Sequence, residues 1–141
     1  MGIKVVKFGG SSLCDAEHFK KVKNIILSDP ARCYVVPSAP GKRTPDDKKI
    51  TDLLYECYHL VDINQPHEEV FEIVARRFRE IAKELELSFD LESVLRETCH
   101  EIRKRRSPDY AASRGEYLSG ILLSEYLGWD FIDPVDVIKF D

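Results

Sequence analysis

A lysine, two adjacent glycines and two hydroxyls follow a short apolar run near the amino terminus, in Val5-Val6-Lys7-Phe8-Gly9-Gly10-Ser11-Ser12-Leu13. These residue types at this spacing suit the handling of a phosphoryl group. The N–H groups of Gly9, Gly10 and Ser11, placed at a helix N-terminus, offer orphan donors and the positive end of the helix dipole to an anion. With no Cβ on either glycine, that anion can approach the main chain closely. Lys7, at the end of the strand, adds a mobile positive charge over the same spot. The turn matches neither G-x-x-x-x-G-K-[ST] nor G-x-G-x-x-G, so it is neither a P-loop nor a dinucleotide fingerprint. Gly-Gly alone also joins strand to helix in proteins that bind nothing there. The longer Lys-Phe-Gly-Gly-Ser-Ser-Leu is the specific part.

The elements that must position this turn alternate along the chain. Residues 2–8 read as a strand, and a helix starts near Asp15, a plausible N-cap, with Phe19, Val22, Ile25 and Ile26 on one face before Pro30 stops it. Cys33–Val36 reads as a second, buried strand, and the β-α-β order implies parallel pairing. Residues 40–49 have loop chemistry throughout, with two prolines, one glycine and six charges. Ile50, Leu53, Leu54, Cys57 and Val61 mark an amphipathic helix. A second stripe follows at Val70, Phe71, Val74, Phe78, Ile81 and Leu85, and a third at Leu91, Val94, Leu95 and Ile102, with Asp90 as its cap. The glutamates and arginines of residues 68–86 read as an exposed face laced with ion pairs. Pro108 and Asp109 open a further helix that ends at Gly128. Residues 129–132 read as a strand, and residues 135–138 as the start of another.

Three more segments carry specific patterns in the same order. Tyr34-Val35-Val36-Pro37-Ser38-Ala39 ends the second strand, Ile50-Thr51-Asp52-Leu53-Leu54 opens a helix, and Ser113-Arg114-Gly115-Glu116-Tyr117-Leu118-Ser119 lies within a later one. With the glycine turn, these four segments resemble the aspartate kinases of the amino acid kinase family. The family's usual forms are K-F-G-G-T-S-V, V-V-S-A, T-[DN]-x-L and G-E-x-x-S. Ser11 stands where threonine is usual and keeps the hydroxyl. Pro37 removes one backbone donor at the strand end, and the loop at 40–49 is longer and more charged than the family pattern.

The resemblance implies an α/β fold, the N-terminal lobe of an amino acid kinase (carbamate kinase-like) fold, with a parallel-strand core and helices on both faces. It implies transfer of the γ-phosphoryl group of ATP to the β-carboxylate of L-aspartate, on the route to lysine, threonine and methionine. Phosphate and ATP contacts then fall on Lys7, Phe8, Gly9, Gly10 and Ser11, with Lys7 also the catalytic cation. Substrate contacts fall on Ser38, Ala39, Thr51 and Glu116, the carboxylate of Glu116 facing the aspartate ammonium. Lying between Gly115 and an apolar stripe, Glu116 is expected to point inward; the plain alternative is a solvated carboxylate beside Arg114. For Thr51 the plain alternative is an N-cap. Residues 1–141 correspond to the acceptor-binding lobe alone. The rest of the nucleotide site, the Mg²⁺ ligands and a homo-oligomeric state belong to polypeptide beyond residue 141, and this chain alone is expected to be inactive. The fold edge left open at that point is the reason to expect more chain. Two alternatives stay open: a glutamate 5-kinase or acetylglutamate kinase, and a non-catalytic lobe that binds an amino acid or mediates assembly.

Composition fits without adding specificity. The chain has 141 residues, is 43% hydrophobic, and carries 21 Lys and Arg against 25 Asp and Glu, for a formal charge of −4. That balance argues against a nucleic-acid partner. No apolar run reaches membrane-span length, and Lys4 and Lys7 interrupt any leader, so a cytoplasmic protein is expected. Cys14, Cys33, Cys57 and Cys99 form no C-x-x-C pair and read as free thiols. The four histidines form no metal motif, and Cys14 with His18 shares only one helical face.

Overall fold

The first strand, β1 (Lys4–Phe8), pairs in parallel with β2 (Arg32–Pro37), in a register that sets Val6 opposite Val35 and Lys7 opposite Val36. The computed structural model describes residues 2–141. Helix α1 (Ala16–Leu27) makes the crossover between the strands, as parallel pairing requires. Its cap is Asp15, whose side chain accepts from the His18 N–H. Phe19, Val22 and Ile26, at helical spacing, are buried.

Side chains alternate along the ribbon, as strand geometry dictates. Val6, Phe8, Val35 and Pro37 are half-buried, and Phe8 and Val35 pack on the core. Val5, Lys7, Tyr34 and Val36 point the other way and are exposed, Val5 at 67% and Tyr34 at 53%. The strand expected to be buried at residues 33–36 is therefore covered on one face only. A strand needs neighbours on both faces to be fully buried, and within residues 2–141 helices line one face of this ribbon.

The rest of the core is helical. Helices α2 (Ile50–Asp62), α3 (Glu68–Glu84), α4 (Leu91–Arg105) and α5 (Pro108–Leu127) pack together, with α2 touching the other three. The expected stripes supply the buried residues: Ile50, Leu53, Leu54, Cys57 and Val61 on α2, and Phe71, Val74, Phe78 and Ile81 on α3. Asp90 caps α4 through the Ser93 N–H, and Ser107 caps α5 through the Tyr110 N–H. Helix α5 ends where Gly128 takes the left-handed conformation at φ +69°. Both Gly128 and Trp129 then donate to the Ser124 carbonyl, the geometry that glycine at this position permits.

After α5 the strands expected at residues 129–132 and 135–138 do not form. Residues 129–132 take no regular structure, and no third strand is present among the described residues. Phe131 instead lies against Gly120, where an added Cβ would meet its ring at 2.8 Å, and makes an edge contact with Tyr117 at 5.6 Å. Pro134 and its Asp133 cap then start a short helix, α6 (Pro134–Val137), as proline at the first helical position favours.

Of the histidines, His67 is buried just before α3. Its Nε2 donates to the Cys99 carbonyl at 2.8 Å, and its Nδ1 accepts from Arg103 at 3.2 Å. It joins α3 to α4 and is structural.

Candidate phosphoryl-acceptor site

The glycine turn does not open α1. Residues Gly10–Ser12 form a single 3-10 turn, and α1 starts four residues later behind its own cap. The cause is local. Ser12 donates to the Gly9 carbonyl and Leu13 to the Gly10 carbonyl, each at 3.0 Å, and Leu13 buries completely. The chain must then extend at Asp15 for the cap to form. The donors expected at the mouth of a long helix therefore head a short turn, whose own bonds do not use the N–H groups of Gly10 and Ser11. Gly9 faces open space, with nothing within 4 Å of where a Cβ would stand. Lys7 and Ser11 are exposed beside it, whereas Phe8 turns toward the core.

Backbone contacts bring the second segment to this turn. Ser38 donates its N–H to the Phe8 carbonyl at 2.9 Å, continuing the ladder past Pro37, which cannot donate. Gly41 then donates to the Gly10 carbonyl at 2.8 Å. The two chains are so close here that a Cβ on Gly41 would stand 2.7 Å from the Gly10 carbonyl carbon.

Helix α5 closes the other side. Gly115 lies over Ala39 and Ile50, so that an added Cβ would stand 2.7 Å from the Ala39 Cβ and 3.3 Å from the Ile50 Cγ2. That contact brings the start of α2, with Thr51, and the Glu116 segment to the loop after β2. Lys49, not Thr51, occupies the cap of α2, so the Thr51 hydroxyl has no capping duty. Glu116 is exposed rather than inward. It is not paired with Arg114, which is buried between the rings of Tyr110 and Tyr117 at 4.3 and 4.4 Å and bonds Ser113.

Three features here escaped the sequence reading. Gly41 is the partner of the glycine turn. The loop at 40–49 is clasped internally: Arg43 holds Asp47 through Nε at 2.8 Å, Nη2 at 3.1 Å and its backbone N–H at 2.7 Å, and reaches Glu80 of α3 at 2.8 Å. Hydrogen bonds from Arg43 hold the Asp47 carboxyl far below the usual carboxylate range. The third is Arg77, which is buried instead of lying on the exposed face of α3. Its Nη2 donates to the carbonyls of Gly41 at 2.8 Å and Cys14 at 3.1 Å. Burial pushes its guanidinium below its ordinary value, Arg43 adds to this, and Asp47 opposes it. The signal was in the sequence: Arg77 falls three residues after Val74 and four before Ile81, on the apolar stripe itself.

Cys14, Asp15 and His18 bring one potential metal-ligand atom each within 4.8 Å of one another. The helix cap accounts for this grouping. Asp15 Oδ1 accepts from the His18 N–H at 2.9 Å and lies 2.6 Å from its Nδ1. Burial raises the Asp15 carboxyl, but these bonds from His18 outweigh it and leave it below its ordinary value.

No family model matches the chain. Bacillus subtilis aspartokinase 3 is 34% identical over 98% of this chain and 33% of its own length. The crystal structure of Clostridium acetobutylicum aspartate kinase superposes at a TM-score of 0.91, with 51% identity over 94% of this chain and 31% of that one. By sequence and by fold, this chain is similar to the aspartate kinases. Another such structure, E. coli aspartokinase III in complex with aspartate and ADP, superposes at 0.68, with 26% identity over 89% of this chain and 29% of its own. The chain spans about a third of the length of the aspartate kinases it matches. The expected fold class, a lobe of the amino acid kinase fold built on parallel strands, agrees with these relatives.

Proposed function

We propose that residues 1–141 are the acceptor-binding lobe of an aspartate kinase. In the complete polypeptide this lobe works in transfer of the ATP γ-phosphoryl group to the β-carboxylate of L-aspartate, giving 4-aspartyl phosphate. One observation carries the reading: the glycine turn, the loop after β2, the start of α2 and the middle of α5 meet through the contacts Gly10–Gly41 and Gly115–Ala39. Four segments far apart in sequence share one place.

The chemistry asks for charge neutralisation and positioning, since a carboxylate nucleophile needs no general base. Lys7 and the N–H groups of Gly9, Gly10 and Ser11 suit the phosphoryl oxygens, as preorganised donors do. Ser38 and Ala39 border the path between phosphate and acceptor. The Thr51 hydroxyl, with no capping duty, and the Glu116 carboxylate suit the aspartate itself. The complex of E. coli aspartokinase III with aspartate and ADP supports this pair of ligands.

The resemblance implies that the Mg²⁺ expected with ATP is held mainly outside this lobe. Among the described residues the grouped ligand atoms are those of Cys14, Asp15 and His18, and a thiol and an imidazole suit Mg²⁺ poorly. Four free cysteines support a reducing compartment such as the cytoplasm. No described helix is long and apolar enough to cross a membrane. Assembly into a homo-oligomer and a place in lysine biosynthesis rest on the resemblance alone.

The experiment is an amide NMR titration of the chain with L-aspartate, with L-glutamate as control. Saturable shifts at Thr51 and Glu116 with aspartate alone are the expected result. Equal shifts with both amino acids overturn the choice of substrate.

A further inference from the structure

Arg77 is a buried cation whose principal partners are not anions. It sits on the apolar stripe of α3 and is 6% exposed. Its nearest carboxylate is Asp47, 3.8 Å from Nη1, and Asp47 is already held by three hydrogen bonds from Arg43. Burying a guanidinium is costly unless its donors are satisfied. Here the close bonds go to two main-chain carbonyls on different segments. Cys14 lies two residues beyond the 3-10 turn at Gly10–Ser12, and Gly41 lies across from it in the loop after β2.

Gly41 passes the constraint on. Its carbonyl accepts from Arg77 while its N–H donates to the Gly10 carbonyl. A single nitrogen, Nη2, therefore grips the exit of the glycine turn directly and the turn itself through one intervening peptide. An apolar residue of similar length fills the same space on α3 but bonds neither carbonyl.

We propose that Arg77 is the positioning residue of the glycine turn, fixing Gly10–Ser12 against Gly41. Its catalytic consequence rests on the aspartate kinase reading above. Arg77 touches no reacting atom, and it acts by holding the phosphate donors where transfer needs them. Displacement of such a group by about 1 Å is enough to cost on the order of 100-fold in rate.

The test compares wild type with Arg77→Met in the complete polypeptide, by amide exchange and by initial rates with ATP and L-aspartate. The Gly41 N–H is expected to exchange about tenfold faster or more in the variant. kcat is expected to fall about 10- to 100-fold, with KM for aspartate within about threefold of wild type, because Thr51 and Glu116 lie on helices Arg77 does not hold. Unchanged exchange at Gly41 overturns the proposal, and so does faster exchange with wild-type kcat. Should Arg77→Met lose its cooperative melt, Gly41→Ala wedges the same junction and leaves α3 intact; wild-type kcat in that variant overturns the proposal too. A wild-type polypeptide that does not phosphorylate aspartate removes the kinase reading, and the exchange comparison then decides the clamp by itself.

Discussion

Gly115 in the middle of α5 and Ala39 in the loop after β2 are packed so closely that a Cβ on the glycine would stand 2.7 Å from the Ala39 Cβ. Two segments 76 residues apart in sequence (115 − 39) thus define the wall shared by the loop after β2 and the Glu116 segment. Gly115→Ala is expected to destabilise the fold by about 1–3 kcal/mol through overpacking. It also pushes the loop after β2 away from α5, so KM for aspartate is expected to rise. Urea melts and initial rates read both effects. A Gly115→Ala protein with wild-type stability shows that the loop yields freely and that this contact is not a wall.

Lys7 is exposed and makes no hydrogen bond or ion pair with the described residues. In the complete polypeptide, Lys7→Ala is expected to lower kcat by about 100- to 1,000-fold, while stability stays within about 0.5 kcal/mol of wild type. Steady-state rates together with a thermal melt separate the two. Near-normal turnover in this variant removes Lys7 from the catalytic role.

The loop at 40–49 should respond to acid through Asp47. Hydrogen bonds from the Arg43 side chain and backbone lower its carboxyl below the ordinary 3.8. A carboxyl lowered by folding contributes stability that is complete above its unfolded value and is lost as pH falls through the folded one. The stability gap between wild type and Asp47→Asn is therefore expected to stay level from about pH 7 to pH 5 and to shrink below about pH 4. Urea midpoints across that range check it. A gap that widens on acidification reverses the assignment.

The four thiols differ in reach. Cys33 is exposed on β2, whereas Cys14 and Cys57 are buried and Cys99 is partly so. Burial pushes the Cys57 thiol up to about 12 and that of Cys99 up to about 11, which removes the reactive thiolate at neutral pH. A colorimetric disulfide reagent at pH 8 is expected to label Cys33 quickly and the other three only in denaturant, with mass mapping to identify the sites. Rapid labelling of Cys57 in the native protein contradicts the packing of α2.

What the sequence makes legible follows from how local each signal is. The helices at 16–27, 50–62, 68–84, 91–105 and 108–127 are readable because caps and 3.6-residue stripes are local. The strands expected after Gly128 fail because apolar composition at residues 129–138 does not specify a partner, and a strand is made by its partner. Lys7, Ser38, Ala39 and Thr51 are proposed from pattern, and the meeting of their segments depends on Gly41 and Gly115, whose small size matters only once two backbones meet. Arg77 goes unseen because a charged residue in a run of Glu and Arg reads as solvated. Its place on the stripe is the evidence against that, and it gains meaning only when the carbonyls it serves are known.

The Arg77 bond to Cys14 spans 63 residues and its bond to Gly41 spans 36, whereas β1 and β2 pair across a single helix. Contacts of long sequence separation carry the largest loop-closure entropy and tend to assemble late. The contacts that Arg77 makes at the glycine turn are thus expected to form late in folding. Substitutions there should leave the refolding limb of a chevron almost untouched and steepen escape from the native state. On that expectation the junction of Gly10, Gly41 and Arg77 bears more on how long the molecule stays formed than on how fast it forms.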